Sequence, residues 1–291
     1  MAEAHSDYYI PEPSHWPITA AISIFTMFVG GATLLNGSSA GPIILGAGFL
    51  LFVYMLFGWF GAVIGESERG IYSDQVDVSF RMGMGWFIFS EVMFFAAFFG
   101  ALYYARIYSV PWLGGEGSGA ATNQFLWPDF IASWPLLQPP STYGFTQFQE
   151  TIGAWGVPFW NTLILLSSGG TVTWAHWGLK KGSRKHLILG LAATVTLGAI
   201  FVYMQALEYG HAYQELGLTL NSGIYGATFF MLTGFHGFHV TMGTIMLAVI
   251  LARSIKGHFT PKHHFGFEAV AWYWHFVDVV WIGLFIFVYW L

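Results

Sequence analysis

Polar and apolar positions along this chain do not alternate with a strand period, and they do not mark one wet face of a surface helix. They form long apolar runs separated by short charged intervals. Pro13 to Gly65 contains no Asp, Glu, Lys or Arg, and the turn-forming stretch Asn36-Gly37-Ser38-Ser39-Ala40-Gly41-Pro42 breaks it near the middle. Met82 to Ala105 is interrupted only by Glu91, and Ala269 to Leu291 only by Asp278. Thr151 to Leu179, His186 to Leu207 and Leu216 to Ala252 carry no charge. A helix of ~20 residues crosses ~30 Å of hydrocarbon. The pattern therefore predicts an all-α polytopic membrane protein with seven transmembrane helices, near 17–36, 43–65, 80–107, 155–178, 186–208, 223–252 and 268–290. Barrel strands would instead alternate over segments of ~10 residues.

Composition agrees with this. Charged residues are 9% of the chain, against ~25% in soluble domains, and mean hydropathy is +0.57. A nucleic-acid binder, a disordered chain and an ordinary cytosolic enzyme are excluded. Without Cys there is no disulfide and no thiolate metal site, so the 11 His residues are the main metal-capable stock. Met1 to Trp16 holds no Lys or Arg and no apolar run, and does not read as a cleaved signal peptide. Arg69, Arg81, Lys180, Lys181, Arg184, Lys185, Arg253, Lys256 and Lys262 fall in connections on the side of the N-terminus; only Arg106 falls on the other. This puts the N-terminus inside and the C-terminus outside. A seven-span receptor has the opposite orientation, and a retinal protein needs a Lys in its last span, which is absent here. The long outer connection, about 108–150, is rich in Gly, Pro and Trp and reads as a flexible loop; an interfacial or partner-docking surface is the alternative.

Candidate chemistry lies in polar residues at membrane depth. Glu91 sits mid-span, where an ionised side chain costs ~2.5–3.5 kcal/mol. It reads as a proton-accepting or lipid-facing acid, or as a neutral Glu bonded to a neighbouring helix. His275 and Asp278 are i, i+3 in the last span, and His236 and His239 are i, i+3 in the span before it. All four could meet at similar depth as a structural polar clasp; a metal or haem between them is the less favoured reading. Gln205 and Glu208 read as exposed interfacial side chains. His176, His258, His263 and His264 lie near the inner surface and could buffer protons or contact lipid head groups. No Pro-Gly break in matching halves marks a transporter core, and no metal site is expected.

Several motifs carry a resemblance. The stretch from His263-His264-Phe265-Gly266-Phe267-Glu268 through Trp272-Tyr273-Trp274-His275-Phe276-Val277-Asp278 to Trp281 closely resembles the last span of the cytochrome c oxidase subunit III family. So do Ser14-His15-Trp16-Pro17, Ser90-Glu91-Val92, Trp174-Ala175-His176, Arg184-Lys185-His186, Gln205-Ala206 with Glu208-Tyr209, and Tyr225 to Gly237. The resemblance covers nearly the whole chain in order. It implies a subunit without haem or copper of its own, packed against catalytic subunit I, with subunit II in the same complex and haem a and copper in those partners. It implies an N-terminal two-helix bundle (1–70) splayed from a five-helix bundle (71–291), with phospholipids in the cleft. It further implies support of proton uptake and protection of the catalytic subunit from turnover inactivation. Glu91 matches the family's buried glutamate facing that cleft, and Trp59, Glu66, Arg253, Lys256 and Lys262 become lipid-contact or proton-related candidates. Phe60 and Gly65 stand where the family usually has Trp and Arg, and Trp177 stands where it usually has His. The long outer connection suggests a bacterial inner membrane rather than a mitochondrial one. A quinol-oxidase subunit and a stand-alone transporter are the alternatives.

Overall fold

The structure is a computed structural model and describes residues 12–291. Most of Met1 to Trp16, and with it the signal-peptide expectation, lies outside the described residues. Among those residues every regular element is a helix. The chain divides into two compact units, Met1–Phe80 and Arg81–Leu291.

In the first unit, α1 (Trp16–Leu35) and α2 (Gly41–Glu68) form a hairpin. Each has a proline in its first turn, where the missing N–H is no loss. The two backbones come very close: a Cβ on Gly30 would lie 2.3 Å from the Leu45 backbone nitrogen. Small residues at such crossings are how helices pack where burial from water drives nothing. Phe25, Phe28, Leu35 and Phe57 point outward and are largely exposed. In water this would be a large apolar liability; in lipid it is a solvated surface. The unit ends with the first residues of α3 (Asp74–Tyr104); just before that helix the Tyr72 hydroxyl donates to Glu66 Oε2 at 2.7 Å.

In the second unit α3 continues through a π-helical turn, Ala105–Ser109, into α4 (Val110–Leu113). A short α5 (Ala120–Leu126) follows, and then the long helices α6 (Val157–Lys180), α7 (Arg184–Gln214), α8 (Gly223–Lys256) and α9 (Phe265–Leu284). The last closes with a π-helical segment, Phe285–Trp290. The core lies where α7, α8 and α9 meet. Trp274, Trp281, Phe201 and Phe229 are the largest side chains fully buried there.

Among the described residues, six helices are long and apolar enough to cross a membrane: α1, α2, α3 with its extension, α7, α8 and α9 with its extension. The seven-span expectation is met only in part, because α6 is not among the six. Its 24 residues include Ser167, Ser168, Thr171, Thr173 and His176. Four of these reach neighbouring helices: Ser168 Oγ accepts from Trp274 Nε1 (2.8 Å), Thr171 Oγ1 bonds Thr194 Oγ1 (2.7 Å), Thr173 Oγ1 lies 3.3 Å from His275 Nε2, and His176 Nε2 lies 3.2 Å from Glu268 Oε1. Polarity that lowers hydropathy is here inter-helix bonding.

The connection near 108–150 also differs from a flexible loop. Asn123 Nδ2 donates to the carbonyls of Leu113 (3.1 Å) and Trp127 (2.9 Å), closing the α4–α5 turn. Further on, Thr146 N donates to Asn221 O and Asn221 Nδ2 to Gly144 O, tying the segment to the α7–α8 turn. Phe148 is buried and stacks on Tyr225 at 5.5 Å. The Gly and Pro content thus shapes a folded cap over one end of the unit.

Candidate functional site

Glu91 and His239 meet between α3 and α8. Glu91 Oε2 is 2.8 Å from His239 Nε2. The other ring nitrogen, Nδ1, lies 2.6 Å from the Phe235 carbonyl one turn earlier. A carbonyl only accepts, so Nδ1 carries a proton and donates it. A neutral His239 therefore presents a bare lone pair at Nε2, and so does an ionised Glu91 at Oε2. One further proton must lie between them: either Glu91 is the acid and donates, or His239 is the cation and Glu91 the anion. Phe94, Phe95 and Tyr273 surround the ring, so the pair is walled by aromatic carbon while Glu91 keeps a partly exposed edge.

The four residues expected in one clasp are divided among three contacts. His236 and His239 are three residues apart, hence ~60° apart around α8, and face different neighbours. His236 is fully buried and Nε2 donates to the Val277 carbonyl at 3.2 Å, beside the Trp281 ring. His239 turns to Glu91. His275 Nδ1 sits 3.5 Å from Asp278 Oδ2, beyond good hydrogen-bond length, while its Nε2 faces Thr173. Asp278 is buried against α6: a Cβ on Gly169 would lie 2.4 Å from Asp278 Oδ2. In an unencumbered helix Gly→Ala stabilises by ~1 kcal/mol. Gly169→Ala is expected to do the reverse, lowering stability by about 1–3 kcal/mol as the carboxylate is displaced; thermal denaturation of the purified complex measures the sign.

At the other end of the second unit, Glu268 in the first turn of α9 collects three partners. Arg81 of α3 donates to Oε2, and His176 Nε2 of α6 and His264 Nε2 at the start of α9 each lie 3.2 Å from Oε1. The helix N-terminus favours the carboxylate. Of the four histidines grouped by sequence, His176 and His264 converge here; His263 is exposed and His258 half-buried. The Arg253 guanidinium lies 4.5 Å over the Phe259 ring. Lys256 and Lys262 are exposed, as is Trp59 on α2.

Sequence reasoning placed Gln205 and Glu208 at an exposed interface. Both are buried. Gln205 Nε2 (3.1 Å) and the Tyr289 hydroxyl (2.6 Å) donate to Glu208 Oε1. The missed signal was Tyr289, one of the few hydroxyls near the C-terminus, brought back by α9 and its extension. Arg81, Glu268 and Gly169 were missed as partners for a similar reason, since each acts across helices far apart in sequence.

The family described as Cytochrome c oxidase subunit III matches residues 5–125 and 135–291. Among curated relatives, cytochrome c oxidase subunit 3 of Danio rerio is 42% identical over 291 residues, covering 100% of this chain and 99% of its own. Its counterpart in Prototheca wickerhamii is 41% identical over 283 residues (97% and 96%), and that in Arabidopsis thaliana 39% over 290 (99% and 97%). With matches that run from end to end at this identity, the chain belongs to the cytochrome c oxidase subunit III family.

Proposed function

We propose that this chain is the non-redox subunit III of a cytochrome c oxidase, supporting oxygen reduction and proton pumping by catalytic subunit I. In this reading haem a and copper belong to partner subunits, with subunit II in the same complex. Phospholipids bind the chain, and Trp59, Glu66, Arg253, Lys256 and Lys262 serve as lipid or head-group contacts. The chain sustains proton uptake and protects the catalytic subunit during turnover. The observation that carries the proton-related part is the Glu91–His239 pair, two groups sharing one exchangeable proton between apolar helices. The histidines near Glu268 supply further proton-accepting groups on the inner side.

The finer topology belongs to the same proposal. α6 crosses the membrane as a seventh span, supported by the inter-helix bonds that satisfy its polar side chains. The N-terminus lies inside and the C-terminus outside, supported by the distribution of basic residues. In this reading the setting is a bacterial inner membrane.

The experiment is a reduced-minus-oxidised visible spectrum of the complex purified in mild detergent through a tag on this chain. Haem a is expected. Haem b or o without haem a would reassign the chain to a quinol oxidase, and no haem in an intact preparation would end the reading. Within the haem a complex, Glu91→Gln is expected to leave assembly intact, change the bound phospholipid and shorten the catalytic lifetime severalfold. Phospholipid analysis and counted turnovers before inactivation check this; unchanged values for both would remove Glu91 from the role.

A further inference from the structure

The contacts around Glu268 leave a gap that hydrogen bonds do not fill. His264 Nδ1 is 3.1 Å from the Thr260 carbonyl. That carbonyl can only accept, so Nδ1 holds the ring proton and Nε2 presents its lone pair. Nε2 aims at Glu268 Oε1 from 3.2 Å, and His176 Nε2 lies at the same 3.2 Å from the same oxygen. Neither nitrogen has a hydrogen-bond partner, although both atoms are buried. All three candidate ligand atoms lie within 4.8 Å of one another. The His264 lone pair and a carboxylate oxygen facing one another repel unless something positive lies between them, and His176 Nε2 faces the same oxygen.

Arg81 pairs with the other oxygen, Oε2, so its guanidinium does not stand between Oε1 and the two imidazoles. It orients the carboxylate and leaves Oε1 free. The Thr260 carbonyl likewise fixes His264 with Nε2 inward. Ligands held from behind in this way are the usual setting of a metal-binding imidazole. The spacing fits as well. Ligands at ~2.0–2.1 Å from a tetrahedral zinc ion are ~3.3 Å from each other, and two of the three separations here are 3.2 Å. Two imidazoles and one carboxylate are a donor set for a borderline cation, with the fourth position left to water. His176 keeps an exposed edge, so an ion has a way in.

We propose that His176 Nε2, His264 Nε2 and Glu268 Oε1 form a binding site for a divalent cation of the zinc type. The test uses the assembled complex purified through this chain, stripped with a chelator and dialysed against buffered micromolar Zn2+. One zinc ion per chain is expected beyond that retained by His264→Gln, whose affinity at this site should fall at least ~tenfold. His176→Gln should behave alike, which covers the case in which one variant fails to assemble. X-ray absorption on the unaltered complex needs no variant. The zinc lost on substitution should show imidazole nitrogen and oxygen neighbours at ~2.0–2.1 Å. Equal zinc in the unaltered complex and both variants, or a spectrum without imidazole scattering, would overturn the proposal and leave a proton as the occupant of the gap.

Discussion

Replacing Trp274 by alanine is expected to cost about 3–5 kcal/mol of stability. The indole is wholly buried in the second unit. It occupies a slot that exists because two neighbours have no side chain: a Cβ on Gly198 of α7 or on Gly243 of α8 would each lie 2.8 Å from its ring. Its Nε1 donates to Ser168 Oγ of α6 at 2.8 Å, so one residue of α9 binds three other helices. The loss is mainly packing. Ser168 also donates to the Leu165 carbonyl at 2.6 Å, and its hydroxyl proton stays satisfied when the indole is gone. Glycines on both flanks cannot reach inward to fill the hole. Trp274→Phe keeps most of the volume and gives up the bond, so about 1–2 kcal/mol is expected. Gly198→Val should approach the alanine variant from the opposite direction, by collision with the ring. Denaturation of the three variants in mixed micelles checks the ranking. A Phe variant as damaged as the Ala variant would mean that the hydrogen bond outweighs the packing.

The slot also shows what sequence could and could not reveal. Apolar runs locate the long helices because lipid demands ~20 apolar residues per crossing. That rule is local and needs no partner. It describes α6 poorly, because Ser168, Thr171 and Thr173 are polar in the chain and paired only in the fold. Which histidine meets which acid is likewise a property of helix rotation. His236 and His239 read as one pair along the chain, yet they face α9 and α3 respectively. His264 and Glu268 stand i and i+4 at the start of the last span, whereas His176 and Arg81 arrive from α6 and α3. The connection near 108–150 misled for a related reason: its Gly and Pro signal turns, while Asn221 and Tyr225, which anchor it, lie far along the chain.

Removing the imidazole of His239 is expected to be the most damaging change to the Glu91 pair, about 2–3 kcal/mol. If the pair is ionic, His239→Ala strands an anion at mid-span, where ionised side chains cost ~2.5–3.5 kcal/mol, until it takes up a proton. If the pair is neutral, it leaves a buried hydroxyl donor without an acceptor, at ~1–3 kcal/mol. Both routes converge on a similar loss, so the magnitude does not depend on where the shared proton rests. Glu91→Gln differs in kind. Its amide N–H can donate to His239 Nε2 in place of the acid, and the Nδ1 bond to Phe235 is untouched, so less than about 1 kcal/mol is expected. In a double-mutant cycle, Glu91→Ala with His239→Ala should cost about 1–2 kcal/mol less than the sum of the single changes, the signature of direct coupling. Additive losses would mean that the 2.8 Å contact carries no energy of its own. The conservative variant then separates two roles. It keeps the hydrogen bond while withdrawing the exchangeable proton, so a Glu91→Gln complex that is as stable as the parent but shorter-lived in turnover would tie function to the proton rather than to the packing.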